Sequence, residues 1–431
     1  MNLLKRKTIY QIALRTITPD GTLNSAKKML PHIASLGFDI VYLNACFVTD
    51  DDTDISTWSE RQSNSGSGNP KNPYKMADYF HVDEEYGTDK DLYEFIETAH
   101  QCGLEVLLDL VYLHCGKNAV FIKEHPDFVR RNEDGTILAG EQWPFARLNY
   151  DNKDLREYLY GNMVYLIKEY NADGFRCDVG DMLPLDFWKE GTKRIREIKP
   201  NAYMLNEGES SDFIAEVFDG SYHWSKQIKL IKMYENYINM NDYIKFYQEE
   251  KFYKKTLNYI ENHDEASDSG TDRFEKIYGT DGVESMLFLI FTVLGVPFLW
   301  NGQEVSDTSE NCMFSNRFFG MGRNYIDWSN ALTDKGKHRM ETIKRFSYLY
   351  HSYEALYDGN INFINTEGSG SLLCFIRQTD KERLFVCINT GNSYAELEFN
   401  ENAKVILSKG INIDNGRIAA EPYGYILAEI G

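Results

Sequence analysis

Hydrophobic residues along this chain alternate between two spacings. Short apolar and β-branched runs fall at 7–14, 39–45, 104–111, 172–178, 202–207, 217–222, 257–262 and 296–301. Runs of that length read as buried strands. Between them lie longer stretches with apolar residues three and four apart, the spacing of amphipathic helices, at 23–36, 89–101, 153–170, 185–199 and 282–294. Eight strand-then-helix units predict an α/β fold, a (β/α)8 TIM barrel, because parallel strands need helical crossovers.

Two stretches break the rhythm. Residues 115–151 are rich in Asn, Asp, Gly and Pro and follow the third strand as a short inserted loop domain. After a helical run at 335–353, short strands at 372–377, 384–388, 395–399 and 425–429 are separated by Asp, Asn and Gly turns. They predict a small C-terminal antiparallel β-sandwich domain. The expected organisation is therefore a barrel over 1–114 and 152–354, an insertion over 115–151, and the sandwich over 355–431. Residues 63–72 read as a flexible polar loop.

Composition narrows the function classes. A net charge of −20 and a pI near 5.0 argue against nucleic acid as partner. The longest apolar candidate for a membrane span, 286–300, is interrupted by Gly295 and Pro297 and reads as buried core. The basic N-terminus is followed by no apolar run, so a secretory leader is not expected. The seven cysteines are scattered with no CxxC spacing. They suit reduced thiols, and a cytoplasmic protein is the expectation.

In such barrels the working groups stand at the C-terminal ends of the strands. Four predicted ends carry ionisable residues: Asp109 and His114 on the third, Arg176 and Asp178 on the fourth, Glu207 on the fifth, His263 and Asp264 on the seventh. Residues two apart on a strand share a face, so Arg176 points the same way as Asp178. It should lower the Asp178 pKa and keep it ionised, as a carboxylate nucleophile requires. Glu207 on the next strand is placed to protonate a leaving oxygen. A spacing of about 5–5.5 Å between the two carboxyls would mean retention of configuration. Asp264 would raise the Glu207 pKa by like-charge repulsion. Glu209, two residues on, is the rival acid/base.

These residues fall in motifs that resemble the α-amylase family of glycoside hydrolases: Asp109-Leu110-Val111-Tyr112-Leu113-His114, Gly174-Phe175-Arg176-Cys177-Asp178, Leu205-Asn206-Glu207 and Glu261-Asn262-His263-Asp264. They occur in the family's order. Asn72-Pro73-Tyr74 and the segment from Gly295 to Glu304 are similar to further family segments. The resemblance implies that Asp178 is the nucleophile, Glu207 the acid/base and Asp264 the transition-state stabiliser. Arg176 would orient Asp178 with Asp109 supporting it, and His114, His263 and Tyr74 would bind the sugar. The implied substrate is an α-linked glucan or maltooligosaccharide. A transglycosylase, an exo-acting α-glucosidase and a non-catalytic sugar-binding protein are the alternatives.

Two departures stand out. Leu113 occupies the place of an Asn calcium ligand, and Val179-Gly180-Asp181-Met182 replaces a Lys-His pair after the nucleophile. Calcium needs several oxygen ligands. The family's usual calcium site is expected to be absent, with no other metal or cofactor.

Overall fold

The computed structural model describes residues 2–249, 253–265, 272–320, 324–366 and 370–431. Eight parallel strands form its first sheet: β1 (Ile9–Ile12), β2 (Ile40–Leu43), β3 (Glu105–Leu110), β4 (Gly174–Cys177), β5 (Tyr203–Asn206), β6 (Gly220–Ser221), β7 (Leu257–Asn258) and β8 (Val296–Trp300). The ladder runs β6-β5-β4-β3-β2-β1-β8-β7. A parallel bridge from Ser221 to Thr256 joins its two ends and closes the barrel. All eight predicted strands are present, but β6 and β7 are two residues each, much shorter than the apolar runs around them.

Alternation along the strands sorts the side chains. Phe175 and Cys177 of β4 face the surrounding helices, as do Leu108 and Leu110 of β3. The inward positions begin apolar near the strand starts, with Ile9, Ile40, Leu107, Tyr203, Leu257 and Val296 in one cluster. Further along, the inward column turns polar: Gln11, Asp109 and Arg176 stand two residues beyond Ile9, Leu107 and Gly174, and Glu207 stands four beyond Tyr203. The barrel is thus filled with hydrocarbon at one end and with ionised groups at the other. Gly174 permits this packing, since a Cβ there would lie 2.2 Å from the Tyr203 carbonyl oxygen.

The helices follow their predicted spans closely, including Asp89–Gln101, Lys153–Glu169 and Leu185–Ile198. The first of these starts at a capping box between Thr88 and Asp91. Helix Gly279–Thr292 has apolar residues all round because it lies beneath the C-terminal sheet, with Phe288 stacked on Tyr425 at 4.3 Å. No helix among the described residues is long and apolar enough to cross a membrane.

Six C-terminal strands follow: β9 (Asn360–Phe363), β10 (Leu372–Gln378), β11 (Arg383–Asn389), β12 (Ala395–Glu398), β13 (Ala403–Asp414) and β14 (Arg417–Ile430). They are antiparallel, as predicted, and hydrogen-bonded into one continuous sheet in which β14 pairs with β11, β12 and β13. Both faces are buried. Leu373, Phe375, Val386 and Leu427 pack toward the barrel, while Leu372, Cys374, Phe385 and Ile426 form a separate core.

Two expectations need correction. Strands β9 and β13 escape the pattern reading because they alternate exposed and half-buried positions at the sheet margin. Residues 63–72 are not a loose loop. Gln62 donates to the carbonyls of Asn69 and Pro70, and Asn69 donates to that of Phe314 at 3.0 Å.

Candidate active site

The polar end of the barrel is organised on one arginine. Arg176 is completely buried, and its Nη1 donates to Asp109 at 2.7 Å and to Asp178 at 2.8 Å. Its Nη2 lies 2.6 Å from Glu207 Oε2. The same Glu207 oxygen accepts the Val179 N–H at 2.8 Å. Val179 adopts φ 39° and ψ 45°, a left-handed conformation that is costly for a β-branched residue. That strain turns the chain sharply after Asp178 and aims an amide at Glu207.

A second network fixes the floor. The Tyr74 hydroxyl donates to Asp109 at 2.9 Å, and Tyr42 donates to the same Asp109 oxygen at 2.6 Å. Gln11 donates to Asn44 and to His263 Nδ1, each at 2.8 Å, and Asn44 donates to the Tyr74 oxygen at 2.9 Å. His263 therefore carries its proton on Nε2 and donates it to Tyr74 at 2.8 Å. The two rings stack at 5.5 Å.

Six of the eight residues singled out from sequence line one pocket: Tyr74, His114, Asp178, Glu207, His263 and Asp264. The other two, Arg176 and Asp109, lie beneath them and hold the carboxyls. Glu209 does not join this group. Its carboxylate accepts the Ser225 amide and, at 2.8 Å, the Ser225 hydroxyl, which spends it on the start of helix Trp224–Tyr234.

Electrostatics correct one expectation. Burial drives the Asp178 pKa up despite Arg176, because that single guanidinium is divided among Asp109, Asp178 and Glu207. Burial also raises Glu207, opposed by Arg176 and aided by the charge on Asp264. The pair thus holds a proton above the ordinary carboxylate range and titrates as a unit. Asp264 goes the other way, to about 2, because His263 and Arg61 outweigh its burial. His263 is itself pushed down to about 4 by burial, so at neutral pH it is uncharged and Arg61 carries the effect. Burial between Trp143 and Phe145 takes His114 to about 3, and its Nδ1 has no partner among the described residues.

Several residues that build this site were not legible in sequence. Arg61 donates to the Asp264 side chain at 2.8 Å and to its carbonyl at 2.7 Å from 203 positions away. Gln11 and Tyr42 occupy inward positions on β1 and β2, and Asn44 follows the end of β2 two residues beyond Tyr42, a signal available once the strand register is known. Trp143 and Phe145 come from the insertion, and Met313 and Phe314 from the loop after β8. The residues present do not fit the family's calcium. Leu113 offers only a buried apolar side chain, and Asp181 accepts from Asn206 at 2.6 Å and from the amides of Glu209 and Ser210 at 2.7 Å.

Carboxyls sharing a buried arginine at the C-terminal strand ends of a parallel barrel, beside aromatic walls, describe a glycoside hydrolase site. The model of the alpha-amylase catalytic domain matches residues 11–136 and 134–346. The chain belongs to the alpha-amylase family, and with it to the retaining glycoside hydrolases of α-glucans. A cyclomaltodextrinase from Geobacillus thermopakistaniensis is 24% identical, over 94% of this chain and 70% of that protein. Alpha-amylase 2 from Dictyoglomus thermophilum is 24% identical, over 88% of this chain and 67% of that protein. An alpha-amylase from Lactobacillus plantarum has the same fold, with a TM-score of 0.82 over all of both chains at 20% identity.

Proposed function

We propose that this protein cleaves α-linked glucans or maltooligosaccharides by double displacement, with Asp178 as nucleophile and Glu207 as acid/base. The observation that carries the reading is that both carboxyls contact Arg176 on the floor of a pocket lined by Tyr74, His114 and His263. One proton shared by the raised pair is what the first step needs: an ionised Asp178 and a protonated Glu207.

In the first step Asp178 bonds to the anomeric carbon as the glycosidic C–O bond breaks, and the proton of Glu207 passes to the leaving oxygen. Arg176 keeps its charge and can follow the change, since it contacts both carboxyls. In the second step Glu207 takes a proton from water, and the resulting hydroxide displaces Asp178 from the sugar with a second inversion. Asp264, held ionised by Arg61, accepts sugar hydroxyls and stabilises the positive charge that builds on the ring. Tyr74 offers a ring face, the neutral His114 offers its Nδ1 to a hydroxyl, and His263, engaged by Gln11 and Tyr74, lines the pocket and holds the Tyr74 ring in place. The seven cysteines, none of them in a disulfide, fit a reducing compartment.

Proton NMR of freshly cleaved maltooligosaccharide tests this proposal. The expected first product is the α-anomer, with activity lost in both Asp178→Asn and Glu207→Gln. A β-anomer, or full activity in either variant, contradicts it.

A further inference from the structure

The strands that carry the two catalytic carboxyls end one residue before them, β4 at Cys177 and β5 at Asn206. The loops that follow therefore set how Asp178 and Glu207 stand to each other. Glu207 Oε2 takes both the Arg176 contact at 2.6 Å and the Val179 N–H at 2.8 Å. The second of these needs Val179 to stay in its left-handed turn, which a β-branched residue keeps only where its surroundings hold it.

Asp181 ties that loop down. Its Oδ1 accepts Asn206 Nδ2 at 2.6 Å, and its Oδ2 accepts the amides of Glu209 and Ser210, each at 2.7 Å. These donors come from the residue before Glu207 and from the second and third residues after it. The β4 loop thus grips the chain on both sides of the acid/base. Hydrogen bonds to a carboxylate are about twice as strong as neutral ones, and this one accepts from three donors.

The fit is close. A Cβ on Gly180 would lie 2.3 Å from Asn206 Oδ1, and one on Gly208 would lie 2.3 Å from the Asp181 carboxylate. Both loops are also anchored behind the clasp. The buried Trp188 donates to the Gly180 carbonyl at 2.9 Å, and the Ser221 hydroxyl donates to the Gly208 carbonyl. Asp178 is braced independently, by Arg176 at 2.8 Å and by its own amide on the Leu110 carbonyl at 3.0 Å.

From this geometry we infer that Asp181 is a positioning residue for the acid/base. It acts through Asn206 and the backbone of 209–210 to keep Glu207 in line with the leaving oxygen. Its loss should weaken proton transfer and spare nucleophilic attack. The inference rests on the hydrolase reading above and adds a residue on which the acid step depends.

The test compares wild type, Asp181→Ala and Asp181→Asn on two substrates by kcat/KM, which reports formation of the glycosyl-enzyme alone. Maltopentaose needs a full proton on its leaving oxygen, whereas the fluoride of α-maltotriosyl fluoride leaves with little help. Asp181→Ala should lose about 10²-fold on maltopentaose and less than about threefold on the fluoride. Asp181→Asn keeps an oxygen for the two amides and should stay within about tenfold of wild type on maltopentaose. If Asp181→Ala does not fold, Gly208→Ala carries the same test, because its methyl group displaces the Asp181 carboxylate from the clasp. Equal losses on both substrates, no loss on maltopentaose, or no recovery in Asp181→Asn overturns the inference and leaves the hydrolase reading intact. A wild-type protein that cleaves neither substrate defeats the hydrolase reading and the inference with it.

Discussion

Two of the arginines that this protein buries completely, Arg176 and Arg377, are used differently. At the barrel mouth Arg176 faces three carboxyls, Asp109, Asp178 and Glu207. Under the C-terminal sheet Arg377 faces backbone carbonyls, those of Thr292 at 2.5 Å and Leu356 at 2.7 Å. The carboxyls raise the pKa of Arg176 well above its ordinary value, whereas burial among neutral dipoles lowers that of Arg377 to about 10. A cation among ionisable partners lets protons move between them. A cation among fixed dipoles can only hold them still. The first arrangement supports chemistry, and the second joins the sheet to helix Gly279–Thr292 and the chain before β9.

Variants on either side of this comparison should separate the two roles. Asp178→Asn removes the nucleophile without changing its shape and should cost on the order of 10⁴–10⁶-fold in kcat, with thermal unfolding nearly unchanged. Glu207→Gln should cost about 10²–10⁴-fold on substrates with poor leaving groups. It should also erase the alkaline limb of the kcat/KM profile. The sign follows from the mechanism: activity needs the proton on Glu207 and is lost as pH rises through its pKa. Since burial raises that pKa, the wild-type limb must lie above the ordinary Glu value of about 4.3.

Arg377→Met should do the reverse. It leaves carbonyls unpaired and should cost about 2–4 kcal/mol of stability, read from denaturant unfolding, with the pH profile of activity unmoved. The smallest expected effect is at the rim of the mouth. Arg61→Ala should lower kcat/KM by about tenfold, through loss of the contacts that aim Asp264. If Arg61→Ala lowered stability as much as Arg377→Met while sparing kcat/KM, the distinction between the two regions would fail.

The barrel was legible because its strands are buried on both faces and read as short, mostly apolar runs. Its catalytic end was legible because inward positions alternate, so that Arg176 and Asp178 share a face and Cys177 does not. The short ladders of β6 and β7 were not foreseen. Apolar side chains such as Tyr222 and Tyr259 stay in the barrel beyond the last hydrogen-bonded pair, and burial pattern cannot mark where pairing stops. Strand β13 was missed because most of its residues are exposed or half-buried and its pairing shifts register twice, the second time at Gly410.

Loops account for the rest. Arg61 meets Asp264 and Asn69 meets Phe314 across hundreds of residues, contacts that no local spacing encodes. The Asp178 pKa was misjudged for a related reason. Sequence places Arg176 beside Asp178, but only the folded barrel shows that Glu207 and Asp109 compete for the same guanidinium.

The central claim is that Asp178 carries the sugar between the two steps. Incubation with 5-fluoro-α-D-glucosyl fluoride, followed by proteolysis and mass spectrometry of the peptides, reads this directly. The account predicts a single fluoroglucosyl adduct on the peptide containing Asp178, at the Asp178 side chain. An adduct on Asp109, Glu207 or Glu209 instead, or turnover of the reagent to an inverted product with no adduct, would contradict it.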